Sequence, residues 1–324
     1  MDTVKKLCIL SLHKIAGHDT AARDYLLGEN LLPILLRELD NKPTPEIKRA
    51  IVHAVYKLCD GTPAPCLEQI LPVIPVLRKL LTSQDPQSLR HNSARSCRIV
   101  GTLVLRDSFP ESLAIEFCQL IVNLLETQYY SNIVRAALNV ISRLAAGNHK
   151  QTEIVIRCGG IRITNRLLDR CSKSKLIKQE ACAAFSNILC GSTEQIEQMF
   201  EEGAIASLIS LMNDESPLVR KEAVQAIANL MRHATLSQIQ RVVEMGGISA
   251  MCNLLKDPHV MILRISLEGI SSFVKQGEAL RDSMEDENPH IVLIKEGDFY
   301  EMLMQVCNDP EIRAWRENEG IRIL

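Results

Sequence analysis

Five glycines close apolar helical runs at one interval or twice that interval, and this spacing narrows what the chain can fold into. They stand in Ile15-Ala16-Gly17, Cys59-Asp60-Gly61, Ala145-Ala146-Gly147, Leu189-Cys190-Gly191 and Lys275-Gln276-Gly277. Successive gaps are 44, 86, 44 and 86 residues, one or two units of about 43. A unit this short cannot bury its own apolar face, so consecutive units must stack.

Residues 193–233 show the internal order of a unit. A first helix through Ile196, Met199 and Phe200 stops at Gly203, and a second follows over 204–212. Asn213-Asp214-Glu215-Ser216-Pro217 then makes a turn, where Pro217 can start the next helix because its missing N–H is not needed there. In that third helix Val224, Ile227 and Met231 form one apolar stripe, with Glu222, Gln225 and Asn229 on the opposite face. Residues 152–189, with Gly159-Gly160, and residues 239–274, with Gly246-Gly247, repeat the pattern. A glycine between the first two helices permits the tight bend their packing needs.

The spacing predicts a single all-α domain over 1–324. A partial repeat covers 1–16, about six repeats cover 17–277, and a degenerate C-terminal repeat or cap covers 278–324. The six start near Gly17, Thr62, Leu105, Asn148, Ser192 and Thr235. The 62–104 unit departs most, since its last helix carries Arg90, His91, Arg95 and Arg98. Residues 277–289, with Met284-Glu285-Asp286-Glu287-Asn288, are expected to form an exposed acidic insertion.

Aromatic residues are only 4% of the chain, so its core must rest on Leu, Ile, Val and Ala, which suits repeated helix packing. The lone tryptophan, Trp315, is expected to pack in a terminal cap. A net charge of −2 provides no reason to expect nucleic acid or an acidic membrane surface as partner. No apolar stretch reaches the roughly 18 residues of a transmembrane helix. The N-terminal run reads as an amphipathic helix on Leu7, Leu10 and Ile15 rather than a leader peptide, because Lys14 interrupts it. Eleven cysteines without a C-x-x-C pair read as free thiols of a reducing compartment. The histidines show no metal-ligand spacing, and no nucleophile–base pair or phosphate loop appears. Neither a metal, a cofactor nor an enzymatic activity is expected.

Several segments resemble armadillo repeats, and among those the importin-alpha family of nuclear-transport adaptors. They are Ile15-Ala16-Gly17 with Ala22-Arg23-Asp24-Tyr25-Leu26, Leu67-Glu68-Gln69-Ile70-Leu71-Pro72, Lys178-Gln179-Glu180-Ala181-Cys182, Ser186-Asn187-Ile188, and Arg220-Lys221-Glu222-Ala223 with Ile227-Ala228-Asn229. The likeness runs over roughly residues 7–308. It implies an all-α, armadillo-repeat right-handed superhelical solenoid that binds a protein or peptide along its concave groove. It also implies a role related to nuclear protein import, with cytoplasmic and nuclear localisation. In that family each third helix pairs a tryptophan with an asparagine four residues on, one above the other on a helix face. The amide bonds the ligand backbone, and the indoles hold the stems of ligand Lys and Arg with a cation–π contribution.

This chain departs from that pattern. At the paired positions stand Leu10 and Lys14, His53 and Lys57, Arg95 and Ile99, Asn139 and Arg143, Ala183 and Asn187, Gln225 and Asn229, and Glu268 and Ser272. No tryptophan remains, and Asn92 fills a position that is commonly acidic in the family. Lys14, Lys57, Arg95 and Arg143 form a basic strip where the family reads basic cargo, so like charge should weaken ordinary localisation-signal binding. The resemblance carries a second peptide site over to Glu180, Ser186, Asn187, Glu222 and Asn229. Thr152, near Ala145, matches a small lysine-receiving pocket. Importin-beta binding through the usual N-terminal arm is not expected, since no such arm precedes Met1, and the last repeat looks cut short around 318–324.

Two readings of function stay open. One is an adaptor related to transport. The other is a scaffold of the same descent without a transport role, binding an acidic or mixed-charge partner. For the basic strip the competing explanation is a solvated helix face, and for the asparagine site an inherited polar surface. Glu180 and Glu222 as a catalytic pair are set aside, because neighbouring repeats of an open groove neither exclude water nor raise a carboxyl pKa.

Overall fold

The computed structural model describes residues 2–83, 85, 89–106, 108–171, 173–281 and 287–321. Among them there are helices and turns and no strand. They form two compact units, Met1–Ile163 and Thr164–Leu324.

In the first unit the closing helices of successive repeats pack in series. Helix α1 (Asp2–Ala16) lies on α4 (Pro45–Cys59), α4 on α7 (Ala94–Leu103), and α7 on α9 (Ser131–Ala145). Between α1 and α4 run α2 (Thr20–Gly28) and α3 (Leu31–Asp40). Asp19 caps α2 through Ala22 N, and Thr44 caps α4 with Pro45 in its first turn. Helix α4 buries Ile51, Val55 and Leu58 at helical spacing. The stripe expected on α1 is corrected: Leu7 and Ile15 are exposed, and Ile9 and Ala16 are the residues it buries.

Two repeats of this unit break the three-helix order. In 62–104, α5 (Leu67–Ile70) gives way to a 3-10 turn over Leu71–Val73 and then α6 (Ile74–Leu81). Pro72 and Pro75 cut this stretch, since neither supplies an N–H for a continuous ladder. A π-helical turn over Leu89–Ser93 leads into α7. In 105–147 a single 17-residue helix, α8 (Glu111–Thr127), replaces the two expected. It contains no Gly or Pro, so nothing bends it. The repeat that follows resumes the order with α10 (His149–Arg157) and α11 (Gly160–Arg170).

The second unit is more regular. Helix α12 (Lys175–Ile188) packs on α15 (Pro217–His233), and α15 on α18 (Val260–Glu278). The intervening pairs are α13 (Thr193–Glu201) with α14 (Ala204–Leu211), and α16 (Leu236–Glu244) with α17 (Gly247–Asn253). At the second of these joints Gly246 adopts φ +84°, where an L side chain is strained. A Cβ on Gly247 would lie 2.5 Å from Val242 Cγ1 and 2.8 Å from Val242 O, so the double glycine serves both the bend and the contact. Ser192 with Gln195 and Thr235 with Gln238 form capping boxes at the starts of α13 and α16. Gln238 Nε2 also donates to Thr193 O at 2.9 Å, tying its repeat to the one before.

Helix α18 runs through Gly277 rather than stopping at it. Gly277 and Asn288 are buried, which corrects the expected exposed insertion at those positions. Asn288 Nδ2 donates to Val274 O at 2.8 Å, while its Oδ1 accepts from His290 N at 2.9 Å and caps α19 (Pro289–Glu296). Glu287 is exposed, and the acidic residues at 282–286 lie outside the described residues, as do 322–324 of the expected shortened end. The chain continues with α20 (Tyr300–Asn308) and α21 (Pro310–Glu319). On α21 the half-buried Trp315 packs under the Arg264 guanidinium, 5.2 Å from the ring centroid.

Candidate functional site

In the first unit the closing helices place Lys14 on α1, Lys57 on α4, Arg95 on α7 and Arg143 on α9. Lys14 is exposed and the other three are half-buried. Between them the rings of His13 and His53 stack with centroids 3.8 Å apart. Burial lowers the pKa of His53 to about 4, and Arg95, His13, Lys57 and Arg98 push the same way. Burial lowers His13 as well, helped by Lys57, Arg95 and Lys14. The charges that lower both pKa values are positive, so this site disfavours charging either imidazole. Burial also lowers Arg95, with Arg98 and Arg49 adding to it. His13 and Arg49 belong to this basic cluster and were not singled out from the sequence. The i, i+4 spacing of Arg49 to His53 and the offset of one from Lys14 to His13 are the signals that point to them.

The cations are held by neutral groups. Arg143 Nε donates to Asn139 Oδ1 at 2.8 Å, and Arg95 Nη1 donates to His91 O at 2.9 Å. The Arg143 side chain crosses Gly101, where a Cβ would lie 3.1 Å from its Cδ. Among the described residues, Lys14, Lys57, Arg95, Arg98 and Arg143 make no ion pair with a carboxylate. Thr152, on α10, is buried, and its hydroxyl donates to Ala145 O at 3.1 Å. The pair expected to form a small pocket is thus brought into contact.

In the second unit Glu180, Ser186 and Asn187 lie on α12, and Glu222 and Asn229 on α15. Ser186 and Asn229 meet directly: Asn229 Nδ2 donates to Ser186 Oγ at 2.9 Å and to Ser186 O at 3.3 Å. Asn229 Oδ1 accepts from Gln225 Nε2 and Arg232 Nη1, each at 3.1 Å. Arg232 Nη2 in turn reaches Glu268 Oε2 on α18 at 2.8 Å. A polar ladder therefore runs across all three closing helices, and an incoming backbone must displace neighbours to use the Asn229 amide. Arg232 offsets part of the negative charge that Glu180, Glu222 and Glu268 bring to these helices. Among the described residues no group of three His, Cys, Asp or Glu side chains is placed to hold a metal ion.

Importin subunit alpha-8 of Arabidopsis thaliana is 32% identical over 306 residues, covering 94% of this chain and 68% of that protein. The chain belongs to the importin-alpha family. Importin subunit alpha-1a of Oryza sativa subsp. japonica is 30% identical over 210 residues, 64% of this chain and 39% of that protein. Among solved structures, a designed armadillo repeat protein in complex with the peptide (KR)4 superposes with a TM-score of 0.60 at 25% identity, covering 74% of this chain and 95% of that one. This importin-alpha relative is accordingly an all-α armadillo-repeat, protein-binding solenoid. The family model of the SIL1/FES1/HPBP1 C-terminal domain also matches residues 151–274, the stretch holding the regular second-unit repeats.

Proposed function

We propose that this importin-alpha relative is a non-enzymatic protein-binding adaptor with a role related to nuclear protein import, moving between cytoplasm and nucleus. On this reading 1–324 is one armadillo domain, and binding of an ordinary basic localisation peptide is weakened. The observation that carries the reading is the set of Lys14, Lys57, Arg95, Arg98 and Arg143 on stacked closing helices, without a carboxylate partner among the described residues. An extended peptide with spaced Asp or Glu side chains would make charge-assisted contacts there, while a Lys/Arg-rich one would meet repulsion. The designed armadillo repeat protein similar to this chain is solved with a basic peptide, (KR)4, the kind of ligand that this cationic face would repel.

The scaffold reading without a transport role rests on the same face. The lost tryptophans and the internally bonded Asn229 favour it over ordinary cargo carriage. Both readings share one test of the surface. The variant Lys57→Glu, Arg95→Glu, Arg143→Glu is titrated with an acidic peptide at low salt. Partly exposed contacts of this kind contribute about 0.5–1 kcal/mol each, so the triple change should weaken binding about 10- to 100-fold. The difference should shrink in high salt. Unchanged binding at low salt would remove this face from the proposal. Nuclear accumulation of the tagged chain in permeabilised cells, with and without added importin-beta, separates the transport reading from the scaffold one.

A further inference from the structure

Outside the basic face, two thiols of the first unit meet across a helix joint. Cys118 is on α8 and fully buried, and Cys158 follows α10 directly and is half-buried. Cys118 Sγ points at Ile154 O, one turn before Cys158, at 3.9 Å. Cys158 Sγ points at Ile115 O, one turn before Cys118, at 3.9 Å. These crossed contacts interleave the two side chains and set the two thiols beside one another. Cys158 is presented by the turn at Gly159, whose φ is +80°.

We propose that Cys118 and Cys158 form a peroxide-sensitive thiol pair, in which Cys158 is oxidised first and Cys118 closes the disulfide. The two sites differ in the way such a pair requires. The neighbouring Cys118 thiol lowers the Cys158 pKa to about 7, with Arg157 adding to it against the effect of burial. The accessible sulfur is therefore about half thiolate at pH 7, far more than an ordinary cysteine. The adjacent Cys158 and burial push Cys118 well up, so the inner sulfur stays protonated until its partner has reacted. Hydrogen peroxide transfers one oxygen to the Cys158 thiolate, giving a sulfenic acid and releasing hydroxide, which takes up a proton. The Cys118 thiol then attacks the sulfenic sulfur, forming the S–S bond and expelling water. Two thiols and one peroxide thus become one disulfide and two waters. The covalent loop encloses α9, the helix that carries Arg143, so the bond would pin one element of the basic face.

The test uses the full chain, fully reduced, treated with stoichiometric hydrogen peroxide at pH 7. Remaining thiols are then alkylated and the chain is digested without reductant for mass spectrometry. A Cys118–Cys158 linked peptide should dominate, at a yield independent of protein concentration. In Cys118→Ser, Cys158 should instead accumulate as a sulfenic acid trapped by dimedone. In Cys158→Ser, Cys118 should stay unmodified. The proposal fails if Cys158 reacts no faster than the exposed Cys8, Cys66 and Cys190. It also fails if wild-type Cys158 is oxidised while Cys118 remains a free thiol, a result that depends on no variant folding.

Discussion

Replacing His53 with glutamine should flatten the acid sensitivity of the first unit. His53 is held near 4 in the fold, against an ordinary value of 6.5. The unfolded chain therefore takes up a proton below pH 6.5 that the folded chain refuses. The contribution is fully present above pH 6.5, falls as the pH drops from there, and is gone by about 4. A shift of this size bounds the effect at about 3.4 kcal/mol, taking 1.36 kcal/mol per pKa unit. His53 is only half-buried, and solvent screens the Arg95 and Lys57 parts of the effect, so about 1–2 kcal/mol between pH 7.5 and 4.5 is the expected size. Urea titrations of the wild type and His53→Gln across that range measure it. Carboxylates held low by partners, such as Asp257 beside Arg220, also lose stability in acid, but they do so in both proteins. Only the difference between the two pH profiles reports on His53. Parallel profiles, or an imidazole NMR titration of His53 near 6.5, would refute the reasoning.

Three further outcomes follow from the packing and the polar ladder. Gly247→Ala drives a methyl into Val242 and should cost about 1–3 kcal/mol; an unchanged thermal midpoint would show that α16 and α17 can separate freely. Asn288→Ala removes the side-chain donor to Val274 O and leaves α19 uncapped, for a loss of about 1–3 kcal/mol by urea denaturation, unless the 277–289 connection contributes nothing to the fold. Ala183→Trp with Gln225→Trp should raise affinity for a Lys/Arg peptide, each indole adding about 0.5–2 kcal/mol. Calorimetry showing no gain would mean that Asn229 does not leave Ser186.

Much of the architecture was legible because glycine and proline act locally. The double glycine at 246–247 fixes a bend through its own φ and its contact with Val242, and both requirements appear as residue types. The missing joint in α8 was equally visible as a 17-residue run without a breaker, but repeat symmetry argued for two helices and misled. The α1 face misled for a different reason. Leu7, Leu10 and Ile15 look like a stripe in sequence, yet only the position of α4 decides that Ile9 and Ala16 are covered. The tie between Asn288 and Val274 spans 14 residues, which no local pattern encodes.

The candidate site was legible as a list of cations and amides, but their relations depend on helices about 43 residues apart. Those relations are opposite in the two units. On α15, Asn229 looks available from the i, i+4 pattern, yet its amide is occupied on both sides by Ser186, Gln225 and Arg232. On α4, α7 and α9 the cations Lys57, Arg95 and Arg143, which stand at the family's aromatic and amide positions, have no carboxylate partner among the described residues. A ligand approaching the second unit must break existing bonds before it gains any. An acidic ligand approaching the first unit relieves repulsion among charges already fixed in place. Under the proposed function, retained binding should therefore concentrate on the first unit, even though the second keeps more of the family's side chains. A peptide competing for Lys57 and Arg95 should then be insensitive to Asn229→Ala.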